Sequence, residues 1–285
     1  MFKKVVPVII VLGLFAACAG PKMNLREMSE KGFLLTYNPI INAAQKYHIV
    51  ANSETAQEVM GQEQKFTFNR EIILTEKATS ADKNTIHYSI TYDSLKMDSS
   101  MPMMTNFEDF KEKLLKATIL LDTDHRGNVQ NITGTEGLPP MPGGMTITEG
   151  LKNFFVVFPE KIIKVGDTWD EDKKMSVPSG PMTVNIQLKS QYKLLGVESF
   201  QGKDCLKIQV ATKITMTGSG NQGGMDLVLD GSGSSDGEIL IDYQAGALAS
   251  LTSKQSTEGI VTLPAQGMNI PMTTTQSETM VRLLK

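Results

Sequence analysis

The sequence predicts a mainly β protein: a long curved antiparallel sheet or half-barrel, built from two related halves and covered by about two helices. Three observations carry this expectation. Apolar and polar residues alternate with period two through long stretches, only two segments place apolar residues at helical spacing, and one stretch near the middle aligns with another near the C-terminus. Taken in chain order, the predicted parts are a signal peptide (1–17), a tether (18–36), an N-terminal β half with one helix (37–145), a connecting helix (146–159) and a C-terminal β half (160–285).

The N-terminus, MFKKVVPVIIVLGLFAACAG, has a basic start at Lys3 and Lys4 and an apolar run from Val5 to Phe15. That run is an export signal, too short for the roughly 20 residues a bilayer span requires. Phe15-Ala16-Ala17-Cys18 resembles the lipobox of bacterial lipoproteins. The resemblance implies that the Cys18 thiol receives a diacylglyceryl group, the signal is cut before it, and the new amine is acylated. Several acyl chains at one site anchor a protein stably. Ala19 follows in place of the aspartate common in inner-membrane lipoproteins, and no acidic run resembling a surface-export signal comes after it. The expected address is the periplasmic face of the outer membrane, with the membrane as partner through the lipid.

Four segments illustrate the strand pattern. Phe66, Phe68, Ile72 and Leu74 share a face in 64–74, as do Ile86, Tyr88, Ile90 and Tyr92 in 86–92. Val184, Ile186, Leu188, Tyr192 and Leu194 repeat the pattern in 183–195, and Leu206, Ile208, Val210, Ile214 and Met216 in 205–217. Such one-sided strands suit an antiparallel sheet with one face in water, and the apolar face then needs a cover or must close on itself. The first covering helix is NFEDFKEKLLKA, capped by Asn106, with Phe107, Phe110, Leu114 and Leu115 as its apolar stripe. The second starts near Thr146, with Glu149 three residues on, and carries Ile147, Leu151, Phe154, Phe155 and Phe158 up to Pro159.

DTDHRGNV (122–129) opens like a calcium loop, but Arg126 and Thr133 occupy the fifth and twelfth positions, where oxygen ligands belong. The aligned pair ILLDTDHRGNVQNIT (119–133) and ILIDYQAGALASLT (239–252) keeps the first aspartate and the glycine and drops Asp124. Both copies are therefore read as strand–turn–strand hairpins, with the glycine placed for a positive φ.

PEKIIKVGDTWDED (159–172), with GKDCLKIQV and GEILIDYQAGAL further on, resembles a group of uncharacterised bacterial lipoproteins and secreted β proteins marked by Gly-Asp-Thr-Trp. The layout resembles more loosely the half-barrel lipid carriers of the bacterial envelope, in which a curved sheet wraps an apolar cavity plugged by helices. The first resemblance transfers no activity. The second implies a hydrophobic ligand.

Chemistry-bearing residues are sparse. Net charge is −3 and no Lys/Arg cluster marks a nucleic-acid surface. The three histidines join no hydrolase or zinc-protease motif, and catalytic residues, cofactors and metal are all expected to be none. With Cys18 lipidated, Cys205 has no partner and is expected to be half-buried on the polar side of its strand. The glycine-rich runs 218–224 and 230–237 lack a phosphate-loop context and are expected to be flexible loops. Methionine is abundant, at 17 residues, and clusters in loops. Its soft side chain suits core filling and also adaptable apolar surfaces. The candidates for a hydrophobic site are Met101, Met103, Met104, Met141, Met145, Phe154, Phe155, Phe158 and Trp169. Trp169 is expected chiefly as an aromatic plug at the sheet end. The functional expectation is a non-enzymatic lipoprotein that binds or carries a hydrophobic molecule or lipid. The rival is an envelope scaffold with a packed core and a protein partner. A continuous apolar cavity between sheet and helices favours the first, and a filled core the second.

Overall fold

A computed structural model describes residues 31–100, 107–139 and 146–284. Cys18, Met101, Met103, Met104, Met141 and Met145 lie outside the described residues.

The strands are β1 (Ala44–Val59), β2 (Gln62–Ala81), β3 (Ile86–Ser99), β4 (Thr118–Thr123), β5 (Val129–Thr133), β6 (Thr168–Ser179), β7 (Met182–Phe200), β8 (Lys203–Gln222), β9 (Met225–Asp242), β10 (Ala247–Leu263) and β11 (Met268–Leu283). They form one antiparallel sheet of 11 strands in the order β5-β4-β3-β2-β1-β11-β10-β9-β8-β7-β6. The chain meanders outward from β1 to the β5 edge and crosses over to the opposite edge at β6. It then meanders back until β11 pairs with β1, so both halves share one sheet, as the alternation predicted. The sheet does not close, and β5 and β6 are its two edges.

The inner face carries the core. Tyr47, Leu74, Ile90, Leu121, Leu194, Ile208 and Ile241 are among its buried residues. Outward positions on the same strands stay wet and charged: Lys189 and Lys193 on β7, Lys213 on β8, Asp236 and Glu238 on β9 are all exposed. These outward positions differ from the apolar band that a membrane barrel shows outward.

The helix α1 (Phe107–Lys116) packs Phe110 and Leu114 inward, while Leu115, expected in the apolar stripe, is 36% exposed. The second helix is a larger correction. It spans only Ile147–Leu151 (α2), with the Thr146 hydroxyl accepting from the Glu149 amide at 3.2 Å. Phe154, Phe155 and Phe158 lie beyond it: the Asn153 and Phe154 amides close turns onto the Gly150 and Leu151 carbonyls, and the helix does not continue to Phe158. Phe155, Val156 and Phe158 are all buried. The Tyr37 hydroxyl also bridges both backbone groups of Val156, donating to its carbonyl and accepting from its amide, each at 3.2 Å, so neither group is left for a helix.

The glycine-rich runs are corrected too. Residues 218–222 and 230–237 lie inside β8 and β9, not in loops. Glycine hides the alternation but suits a tightly curled sheet, where neighbouring backbone approaches closely. A Cβ on Gly237 would sit 2.6 Å from the Thr252 carbonyl oxygen, and one on Gly231 2.8 Å from that of Glu258. Gly237→Val is expected to lower stability by about 1–3 kcal/mol through overpacking, read as a lower urea midpoint at unchanged slope.

Both aligned stretches form hairpins. Gly127 and Gly246 take positive φ (94° and 56°) at matching places. Each also meets the incoming chain: a Cβ on Gly127 would lie 2.7 Å from the Tyr37 ring, and one on Gly246 2.5 Å from the Asn38 amide nitrogen. The two turns thus hold the entry segment between them.

Candidate functional site

Segments 33–37 and 154–163 fill the lower part of the space enclosed by the sheet. Phe33 and Ile163 exchange backbone hydrogen bonds of 2.7 and 2.9 Å, the Tyr37 amide donates to His125, and the Phe158 amide donates to Arg126. Phe158 stacks on Tyr37 at 4.7 Å, and Phe155 meets Tyr37 edge-on and Tyr88 at 5.0 Å. Trp169 is 7% exposed, stacks on Tyr192 at 5.1 Å and donates its indole N–H to the Val157 carbonyl at 3.2 Å. Of the four described aromatic candidates, Phe155, Phe158 and Trp169 are buried packing residues, and Phe154 is partly buried against the same core. Phe154 and Phe155 also line a cavity of about 40 Å³ with Tyr37, Tyr47 and Glu76. That space suits water, not an acyl chain.

The turn before β6 explains the Gly-Asp-Thr-Trp motif in this chain. The Gly166 amide donates to Leu194 at 2.7 Å, the Leu194 amide to Asp167 at 3.0 Å, and the Asp167 carboxylate accepts the Lys164 amide at 2.8 Å. These bonds fix where Trp169 enters the core. The calcium-like loop is likewise occupied by its own turn: the Asp124 carboxylate accepts the Arg126 and Asn128 amides and the Asn128 side chain at 2.6–2.9 Å.

Sequence reasoning missed a polar cluster inside the core. Glu76 is 5% exposed and shares the inward face of β2 with Leu74 and Ala78. Burial pushes its carboxyl up to about 8, against the smaller downward pulls of Arg282 and the Tyr47 hydroxyl. Arg282, 3% exposed and opposite Tyr47 in the β1–β11 register, donates to the Asp242 carboxylate at 2.6 Å. Asp242 also caps its own turn by accepting the Ala245 amide at 3.0 Å. Tyr37, Tyr47 and Tyr88 surround Glu76, and burial holds their hydroxyls protonated well above the ordinary tyrosine range. The available signal was phase: Glu76 has the parity of Leu74.

Further along the inner face the lining turns polar, with Arg70 ion-paired to Glu278 and the Ser190 and Thr212 hydroxyls 2.8 Å apart. Beyond that band lies a second apolar cluster, Val177, Val184 and Leu229 with Met175, Met182, Met216 and Met272 around them. These methionines sit in strands, unlike the loop methionines expected at a ligand site. On the outer face, Cys205 is fully buried, not half-buried, in a small patch with Leu240, Ala249 and Phe200. Burial pushes its thiol up to about 11.

Between the free edge of β6 and the α2–β5 region lies an open slot of about 500 Å³, bordered by Lys152, Lys173, Lys174 and Met175. Neither the slot nor the Glu76 cluster was foreseen, because both depend on strands far apart in sequence.

Residues 142–248 match the model of a family of unknown function (DUF6263), less than half of the chain. A search of curated proteins gives no match. Among solved structures the chain is similar to OccK2 (OpdF) of Pseudomonas aeruginosa, at 8% identity over 86% of this chain and 100% of that one, with a TM-score of 0.29. It is also similar to a DUF1329 family protein from Desulfovibrio piger (11% identity, 84% and 86% covered, TM-score 0.20) and to the translocator domain of the autotransporter NalP from Neisseria meningitidis (9%, 91% and 93%, 0.19). None of these similarities bears on what the chain does.

Proposed function

We propose that the chain is a lipid-anchored, non-enzymatic protein of the bacterial envelope that acts by contact with other envelope proteins. The observation that carries this reading is the filled interior. The crossover and the entry segment occupy the space beneath the sheet, and the cavity left there is about 40 Å³, far below the roughly 300–1,000 Å³ of ligand pockets. The larger space further along β6–β9, about 760 Å³, is open and lined by Glu171, Ser190, Thr212, Ser235 and charged neighbours, polar groups that do not suit an acyl chain. The anchor rests on the Phe15–Cys18 sequence and the outer-membrane address on its resemblance to lipoprotein signals. Native mass spectrometry of the chain purified from envelopes in mild detergent is expected to give one mass, the protein with its own N-terminal lipid. A second, stoichiometric lipid would overturn the reading.

A second reading keeps the hydrophobic ligand and moves it to the methionine-lined cluster at the far end of the inner face, around Leu229. The same spectra separate the two, since only this reading yields a bound apolar molecule that Met216→Gln weakens.

Cys18→Ser is expected to leave an unlipidated chain that keeps its apolar signal segment. The intact mass of the N-terminal peptide checks this, and a peptide that still carries the lipid mass would remove the anchor from the proposal.

A further inference from the structure

The slot beside β6 follows from the way the sheet ends. β6 is 12 residues long and pairs with β7 on one side only. Its other edge presents a row of backbone donors and acceptors, which is the surface that strand addition uses. Lower down, the entry segment and the crossover fill the space between the two sheet edges. Beside Lys173–Ser176 the slot stays open, floored by Val157 and faced by Asn128 and Val129 at the start of β5.

The chemistry of an occupant can be read from the two faces of β6. Met175 shares the inward phase of Trp169 and Val177, whereas Lys174 and Ser176 are exposed on the outward phase. Residues directly opposite one another on paired strands share a face. An added strand therefore places alternate side chains inward against Met175, Val129 and Val157, and the others outward beside Lys174. The charges nearby are unequal. Lys173, on the inward phase with Met175, is held by Glu171 at 3.0 Å, and Lys152 by Glu149 at 3.5 Å, while Lys174 on the outward phase makes no ion pair among the described residues; Asp170 and Asp172 share that outward phase but lie before the slot.

We propose that this slot takes one extended segment of a partner protein, added as a strand along the free edge of β6, with acidic residues facing outward and apolar residues facing inward. The inference rests on the contact function proposed above and names the partner's chemistry. The competing account is that lysines on β6 only guard an exposed edge against unwanted pairing.

The probe is a fluorescein-labelled heptapeptide alternating glutamate and valine, with a lysine–valine counterpart, each titrated against the whole chain in detergent by fluorescence anisotropy. The acidic peptide is expected to bind saturably below about 1 mM and at least about fivefold more tightly than the basic one. Lys174→Glu, a change at an exposed position, is expected to reverse that preference. Hydrogen exchange should slow at β6 amides only when the acidic peptide is present. Absence of saturable binding, equal binding of both peptides, indifference to Lys174→Glu, or protection elsewhere than β6 would each overturn the proposal. These failures leave the contact function standing if the spectra above still show no bound lipid.

Discussion

Glu76→Gln is expected to stabilise the folded chain strongly above neutral pH and to change it little in mild acid. The Glu76 carboxyl sits near its ordinary 4.5 in the unfolded chain and at about 8 in the fold, raised first by burial. Between those values the unfolded chain releases a proton that the folded chain keeps, so stability falls as pH rises. Its protonated-state stability is complete below pH 4.5 and is lost progressively until the carboxyl ionises in the fold, near pH 8. At roughly 1.4 kcal/mol per unit, the loss reaches about 5 kcal/mol as an upper bound. The groups facing Glu76 reinforce the sign. Tyr37, Tyr47 and Tyr88 are kept neutral by burial, and the cation that acts on Glu76 among the described residues, Arg282, is already engaged by Asp242. Glutamine is neutral at every pH, fills nearly the same volume and can still accept from the Tyr47 hydroxyl. Urea unfolding from pH 5 to pH 9 should give a steep decline for the native chain and a flatter one for Glu76→Gln. Parallel curves would mean that Glu76 ionises freely in the fold.

The difficulty of finding Glu76 from sequence shows which parts of the chain were legible. Strands such as β3 and β7 declare themselves because aromatic and branched residues alternate along them, on β7 with a single polar step at Ser190. β2 does so only as far as Leu74; its next inward residue is a carboxylate, which breaks the apolar count while keeping the phase. β9 is hidden for the opposite reason. Gly231, Gly233 and Gly237 occupy inward positions in a curled sheet, and a residue without a side chain carries no hydropathy signal. Apolar spacing also overstated α2. Phe154, Phe155 and Phe158 fit a helical stripe, but the chain turns at 152–155 and Tyr37 takes both backbone groups of Val156, so the helix stops at Leu151. The hairpin glycines were legible because turn chemistry is local. Their contacts with Tyr37 and Asn38 were not, since those come from a distant segment. The slot at β6 depends on the path of the whole crossover, which no local pattern encodes.

Arg282→Met is expected to cost about 3–5 kcal/mol, the range for breaking a buried ion pair from one side. Arg282 and Asp242 are 3% exposed each, and the guanidinium donates to the carboxylate at 2.6 Å. Removing the cation leaves Asp242 charged in the core with one remaining turn hydrogen bond, from the Ala245 amide. Arg282 is also the charge that draws the Glu76 carboxyl down. Without it Glu76 stays protonated to still higher pH, so the pH-dependent decline extends further into the alkaline range. The paired variant Arg282→Met with Asp242→Asn removes both charges, and it should be distinctly more stable than Arg282→Met alone. A double-mutant cycle by urea unfolding at pH 6 therefore has a predicted sign: a coupling of at least about 1 kcal/mol. Additive costs would instead show that solvent reaches the pair. In that case the interior beneath the crossover is open at its rim, and the filled core that supports a contact function loses its basis.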